Sequence, residues 1–188
     1  MINIAIFASG TGSNFIAIHD AVLQNELNVN ISVLVSDKPD SIAVKNAERK
    51  NIKTFTFKPK EYKNKREFEQ KILDNLKDVD LIILAGYMRI IGPTLLSKYE
   101  NRILNIHPSL LPMYKGMDAV GQALKDNATI TGVTVHYVDS GMDTGSIIKQ
   151  ESLTIYPNET RESLEKRIHQ IEHKLYKKVI KEVIEEIS

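Results

Sequence analysis

With 188 residues the chain is expected to form one domain, residues 1–188, and it is long enough to bury a sizeable core. Its 25 basic against 24 acidic side chains leave a net charge of +1, a total that implies no surface for a polyanion such as nucleic acid. With no cysteine, disulfides, thiolate metal sites and a cysteine nucleophile are excluded together, and the composition suits a reducing cytoplasm.

Ile2, Ile4, Ile6 and Phe7-Ala8 form a short apolar run, the pattern of a parallel strand covered on both faces. Lacking a basic leader, this run reads as neither a signal peptide nor a membrane span. The turn Gly10-Thr11-Gly12-Ser13-Asn14 leads into a helix with Phe15, Ile18, Ala21 and Val22, for which Ser13 and Asn14 are both competent N-caps. A glycine turn between a first strand and a first helix offers backbone N–H groups at a positive helix end, a site for phosphate. Phe15 stands where a dinucleotide fingerprint needs a small residue, and the Gly-Lys-Ser/Thr of a P-loop is absent. A phosphate monoester remains as ligand; the alternative is a turn that only reverses the chain.

Ile31 to Val35 is a second strand, followed by Asp37, which is expected to be a turn residue before Pro39. The other reading of Asp37 is the ribose-binding acid of a dinucleotide fold. A helix from about Ser41 and a strand from Thr54 to Phe57 come next. The charged segment Lys58 to Lys65 reads as a solvated loop, and the helix after it carries Phe68, Ile72, Leu73 and Leu76 on one face. Asp80 to Ala85 is the strongest buried-strand signal. It runs into the apolar loop Gly86-Tyr87-Met88-Arg89-Ile90-Ile91-Gly92-Pro93, which either packs on core or lines a pocket for a flat apolar ligand.

After a short helix near Leu95 to Tyr99 comes Asn105-Ile106-His107-Pro108-Ser109-Leu110-Leu111-Pro112. In an extended segment Asn105 and His107 project to the same side, and the prolines end regular structure just beyond them. Such a strand end is where open α/β sheets bind ligands, although a carboxamide satisfying loop backbone and a hydrogen-bonded histidine account for the same residues. A helix is expected from Asp118 to Lys125, then an antiparallel hairpin of Ile130 to Val138 and Ser146 to Gln150. Thr134, His136 and Val138 share one face of its first strand, and Asp143 sits at its tip, a common place for a turn acid. The last helix begins near Thr160, a plausible N-cap, and bears the stripe Leu164, Ile168, Ile171, Leu175 and Val179. At about 100° per residue, Glu172 falls near the edge of that stripe, either snorkelling outward or placed for a ligand.

Taken together, and in this order, Ser9 to Asn14, Leu84 to Ile90, Asn105 to Pro112 and Gly132 to Gly145 resemble the phosphoribosylglycinamide formyltransferase family across essentially the whole chain. The resemblance implies an α/β, Rossmann-like, mostly parallel twisted sheet with helices on both faces and an appended C-terminal antiparallel hairpin. It implies formyl transfer from 10-formyltetrahydrofolate to glycinamide ribonucleotide in purine synthesis, without a metal. By the same resemblance Gly12, Ser13 and Asn14 cradle the ribonucleotide phosphate and Glu172 meets the glycinamide substrate. Met88, Arg89, Ile90 and Ile91 line the folate pocket, and Asn105, His107 and Asp143 form the catalytic trio, Asn105 also facing the folate. Lys65 matches the family's basic residue on the folate side, with Arg66 as the competing assignment. Lys115 and Ser146 stand where the family often has proline, which bears on loop stiffness and removes no functional group.

The chemistry implied suits these residue types. An amine attacking a formyl carbon builds negative charge on the formyl oxygen, which Asn105 and a protonated His107 would meet with donors. A carboxylate from Asp143 favours the charged imidazole and offers a route for protons. Methionyl-tRNA formyltransferase carries an additional RNA-contacting domain and formyltetrahydrofolate hydrolase an additional regulatory domain; the chain is expected to hold neither. The rival from another class is a non-catalytic nucleotide-binding module resting on Gly10, Gly12 and Asp37, with a hydrolase-like enzyme as the nearer alternative.

Overall fold

The computed structural model describes residues 1–188. The strands are β1 (Ile2–Phe7), β2 (Val29–Ser36), β3 (Thr54–Thr56), β4 (Leu81–Leu84), β5 (Ile103–His107), β6 (Ile130–Tyr137) and β7 (Ile147–Thr154). The helices are α1 (Ser13–Leu23), α2 (Ile42–Arg49), α3 (Lys65–Asp74), α4 (Pro93–Leu96), α5 (Ala119–Lys125) and α6 (Arg161–Ile187). All strands join one sheet in the order β3-β2-β1-β4-β5-β6-β7. Pairs from β3 to β5 are parallel, and β6 and β7 add antiparallel pairs at the β5 side. The order reverses beside β1, so the C-terminal ends of β1, β4 and β5 open onto the crevice where such sheets hold ligands.

Alternation along the central strands builds two cores. Ile4 and Ile6 of β1, with Leu81 and Ile83 of β4, face α1, α2, α5 and α6, whereas Ala5 and Phe7, with Ile82 and Leu84, face α3 and α4. This two-sided burial is why β1 and β4 read as continuous apolar runs. The stripe on α6 extends beyond its sequence reading to Tyr176, Ile180, Val183 and Ile184, all buried. Tyr176 shares its hydroxyl proton between the carbonyls of Leu84 at 2.7 Å and Leu104 at 3.1 Å. The long helix is thereby keyed to the ends of β4 and β5. No helix is long and apolar enough to cross a membrane.

Several local readings are corrected. Gly12 is the N-cap of α1 at φ +75°, with no side-chain cap, so Ser13 and Asn14 are its first helical residues. Their side chains are free for other partners. The segment ending at Lys65 is not all solvated loop: it contains a 3₁₀ turn at Pro59–Glu61, and Lys65 opens α3 behind an Asn64 cap. Strand β7 runs on to Thr154, past the expected Gln150, because its pairing with β6 continues as far as Ile130. Thr160 caps α6 through its side chain as read, and Ser41 and Asp118, read only as the starts of helices, cap α2 and α5 in the same way.

Candidate active site

Apart from Lys65, every site residue read from the sequence lines one cavity of about 620 Å³ at the C-terminal ends of β1, β4 and β5. At its centre His107 ends β5, and Asn105 lies opposite His136 of β6 in the antiparallel register. The His136 Nδ1–H donates to the Tyr137 carbonyl at 2.8 Å. Nε2 of His136 is therefore the acceptor, and it takes an N–H from Asn105 Nδ2 at 3.2 Å. Burial pushes the His136 pKa down, against the pull of the Tyr137 carbonyl and Asp143, so the ring is held neutral. A neutral His136 fixes the orientation of the Asn105 amide. His136 was missed as a functional residue although its shared face with Thr134 was legible; only the β5–β6 register reveals its partner.

Asp143 has the left-handed φ of +55° of a turn residue, yet its carboxylate turns inward. Oδ2 lies 3.5 Å from His107 Nδ1 and accepts the Gly116 N–H at 2.8 Å, while Oδ1 lies 3.8 Å from His136 Nε2. His107 Nε2–H donates to the Tyr114 carbonyl at 2.8 Å, which leaves Nδ1 as the nitrogen that faces Asp143. The loop after β5 is pinned by Thr134, whose hydroxyl donates to the Ser109 carbonyl at 2.7 Å and accepts the Leu111 N–H at 3.1 Å.

At one end of the cavity the Gly12 turn meets α6. Glu172 is 7% exposed, so it does not snorkel; it faces inward and accepts a hydrogen bond from Asn14 Nδ2 at 3.3 Å. Burial holds its carboxyl above the ordinary value, opposed by His169 and by the Asn14 hydrogen bond. Asn14 Oδ1 is buried with no partner, and His169 also lines this end. Backbone donors at a helix start, a half-satisfied amide and a buried carboxyl together suit a ligand with an anionic group and an amine.

At the other end the loop after β4 brings Met88, Arg89, Ile90 and Ile91 to the wall, with Met88 73% exposed and Ile91 buried beneath. Lys65 stands behind this wall and donates Nζ–H to the Ile90 carbonyl at 2.8 Å. Asp37 is neither a simple turn residue nor a free ribose acid, because its buried carboxylate accepts from Ser9 Oγ and Arg89 Nε. Lys115 and Ser146 lie in loops whose carbonyls are bonded, to Gln122 Nε2 and to the Tyr137 N–H. No group of three or more His, Cys, Asp or Glu side chains is placed to hold a metal ion.

A family described as formyl transferase matches residues 2–180. The chain is 50% identical over 182 residues to the phosphoribosylglycinamide formyltransferase of Bacillus subtilis, covering 96% of this chain and 93% of that protein. Glycinamide ribonucleotide transformylase 1 from Geobacillus kaustophilus superposes with a TM-score of 0.95 at 52% identity, over 97% of this chain and 98% of that one. The phosphoribosylglycinamide formyltransferase of Bacillus halodurans gives 0.95 at 42% identity, over 99% and 97%. The fold is the formyltransferase fold that the motifs implied, and the chain belongs to the formyl transferase family, among its phosphoribosylglycinamide formyltransferases.

Proposed function

We propose that the chain transfers the formyl group of 10-formyltetrahydrofolate to the primary amine of glycinamide ribonucleotide, giving formylglycinamide ribonucleotide and tetrahydrofolate. The observation that carries this reading is the placement of Asn105, His107 and Asp143 between an anion-ready helix start and an apolar wall, in a single cavity. Two substrates of different chemistry thus meet at one polar centre, and holding them together is itself a large part of catalysis.

In this reading the phosphate lies on the N–H groups that follow Gly12, and Glu172 receives the glycinamide end. The flat folate lies along Met88 to Ile91. Amine attack on the formyl carbon puts negative charge on the formyl oxygen. Asn105, oriented by neutral His136, offers its second amide N–H to that oxygen, and protonated His107 offers a charged donor. The Tyr114 carbonyl takes the His107 Nε2–H at 2.8 Å, so donation from Nε2 requires that bond to be shared or exchanged. Asp143 stabilises the imidazolium from 3.5 Å and accepts a proton from the attacking amine, directly or through water, for return to the leaving folate nitrogen. The cysteine-free composition suits such an enzyme in a reducing cytoplasm.

The nucleotide-binding alternative loses its main residue, since both Asp37 oxygens are occupied by protein donors. A hydrolase-like enzyme would need only the folate end and gives no role to the Gly12 turn or Glu172. An absorbance assay of 10-formyltetrahydrofolate, run with and without glycinamide ribonucleotide, tests the proposal. Conversion that depends on the ribonucleotide supports it, and conversion at the same rate without the ribonucleotide overturns it.

A further inference from the structure

The chemistry above makes no use of a hydrogen-bonded chain that runs behind the wall at Met88 and Arg89. Asp37, just past the end of β2, has a side chain only 2% exposed. Its Oδ1 accepts the Ser9 hydroxyl proton at 2.6 Å and its Oδ2 accepts the Arg89 Nε–H at 2.8 Å. Ser9 has one hydroxyl proton and gives it to Asp37, so a lone pair of Oγ takes the Met88 N–H at 3.0 Å. The Ser9 backbone N–H also donates to the Gly86 carbonyl at 3.0 Å. Gly86, Met88 and Arg89 are thus tied to two residues that do not belong to their loop.

The far end of the same loop is gripped by α3. Lys65 donates to the Ile90 carbonyl, and buried Glu69 accepts the Gly92 N–H, each at 2.8 Å. A Cβ on Gly92 would come within 2.4 Å of Glu69 Oε1, so the Glu69 side chain lies directly against the Gly92 backbone. With Ile90 and Gly92 fixed by α3, the freedom left to the exposed Met88 and Arg89 is set by Ser9 and Asp37. The phosphate turn has its own anchor, the Ala43 N–H to the Gly10 carbonyl at 3.0 Å.

We propose that Asp37 is a positioning residue for the folate side of the site, acting through Ser9 and Arg89 to hold the Met88–Arg89 wall in its binding shape. The proposal rests on the assignment of that wall to the folate. The carboxylate accepts from Ser9 Oγ–H and Arg89 Nε–H from different sides at once, and its charge strengthens the contact with the guanidinium. Asparagine of the same shape keeps both contacts only by giving Oδ1 to Arg89 Nε and Nδ2 to Ser9 Oγ, which turns the Ser9 hydroxyl from donor to acceptor and leaves Arg89 on a neutral amide. By using Nε for this anchor, Arg89 keeps both Nη groups without a protein partner on a side chain that lines the cavity.

Steady-state kinetics of Asp37→Asn and Ser9→Ala, together with amide hydrogen exchange at Met88, test the proposal. Asp37→Asn is expected to raise the KM for 10-formyltetrahydrofolate about tenfold, the scale of the charge assistance lost from the Arg89 contact. The ribonucleotide KM and kcat should stay within about threefold, a factor worth under half of that loss. The Met88 amide should exchange faster in both variants, and Ser9→Ala should have the smaller KM effect because it keeps the Asp37–Arg89 pair. Equal rises in both KM values, a fall in kcat at constant folate KM, or an unchanged Met88 exchange rate would each overturn it. If the wild-type chain transferred no formyl group, the proposed function would fall by itself. Met88 exchange and calorimetric titration of Asp37→Asn with tetrahydrofolate would still decide the role of Asp37.

Discussion

Asp143 and Glu172 show how much a residue's role depends on which way its side chain faces, which a sequence does not carry. Asp143 satisfies the backbone demands of a turn and still places Oδ2 3.5 Å from His107 Nδ1. Asp143→Asn keeps the shape and removes the charge; it is expected to slow turnover about 10²-fold or more, with both substrates still binding. Near-normal turnover in that variant would return Asp143 to a purely local function. For Glu172 the consequence concerns both binding and stability. Burial raises its pKa from the ordinary 4.5, so the folded chain holds this proton more tightly than the unfolded chain does. Its contribution to stability is complete below the unfolded value and is lost as pH rises through the higher folded value. Glu172→Gln removes that loss while leaving an acceptor for Asn14. The variant should therefore gain stability at pH 8 relative to wild type, read as a higher melting temperature, and gain little at pH 4. It should also raise the KM for the ribonucleotide far more than for the folate, and a larger change in the folate KM would reverse the assignment of the two cavity ends. At this scale the sequence showed Asn105 and His107 well, since alternation in a strand sets their common side. It could not show His136 or Asp37, because their partners come from other strands and loops and depend on register.

At the scale of elements, local chemistry was most legible where a side chain acts on its own backbone. The cap at Thr160 falls where its hydroxyl suggested, and the helices expected from about Ser41 and Asp118 begin just after those residues, which cap them. The start of α1 escaped that logic, since Gly12 takes the cap position in a left-handed conformation that leaves Asn14 free to meet α6. This turn gives a sharp prediction. A Cβ at Gly12 would lie 2.8 Å from Ala43 Cβ and would have to tolerate φ +75°. Gly12→Val should thus displace the turn from α2 and weaken ribonucleotide binding, with folate binding nearly intact. Calorimetry showing equal loss of both ligands, in a variant whose circular dichroism is unchanged, would count against the phosphate assignment. The end of β7 was the least legible boundary. Its residues from Glu151 to Thr154 alternate poorly, and only pairing with β6 makes them a strand.

For the whole molecule, the α/β class and the two-sided core were written in the apolar runs of β1 and β4, whereas the relation of α6 to the sheet was not. That relation depends on Tyr176, whose hydroxyl reaches the carbonyls of Leu84 and Leu104, one residue before Ala85 and Asn105. Tyr176→Phe is expected to lower the free energy of unfolding by about 1–3 kcal/mol, the cost of stranding buried carbonyls, with the change read from the urea midpoint. An unchanged midpoint would show that packing alone seats the helix. With α6 seated, Glu172, the Gly12 turn and the Asn105–His107 strand end face one another across a single cavity, and the wall at Met88 closes it. The arrangement as a whole calls for group transfer between two bound substrates. The most direct measurement follows a carbon-13 label from the formyl group of 10-formyltetrahydrofolate in the presence of glycinamide ribonucleotide. Transfer predicts that the label appears as a formyl amide on the ribonucleotide's amine, in proportion to the tetrahydrofolate produced. Release of the label as free formate, or its retention on the folate while the ribonucleotide stays unmodified, would contradict it.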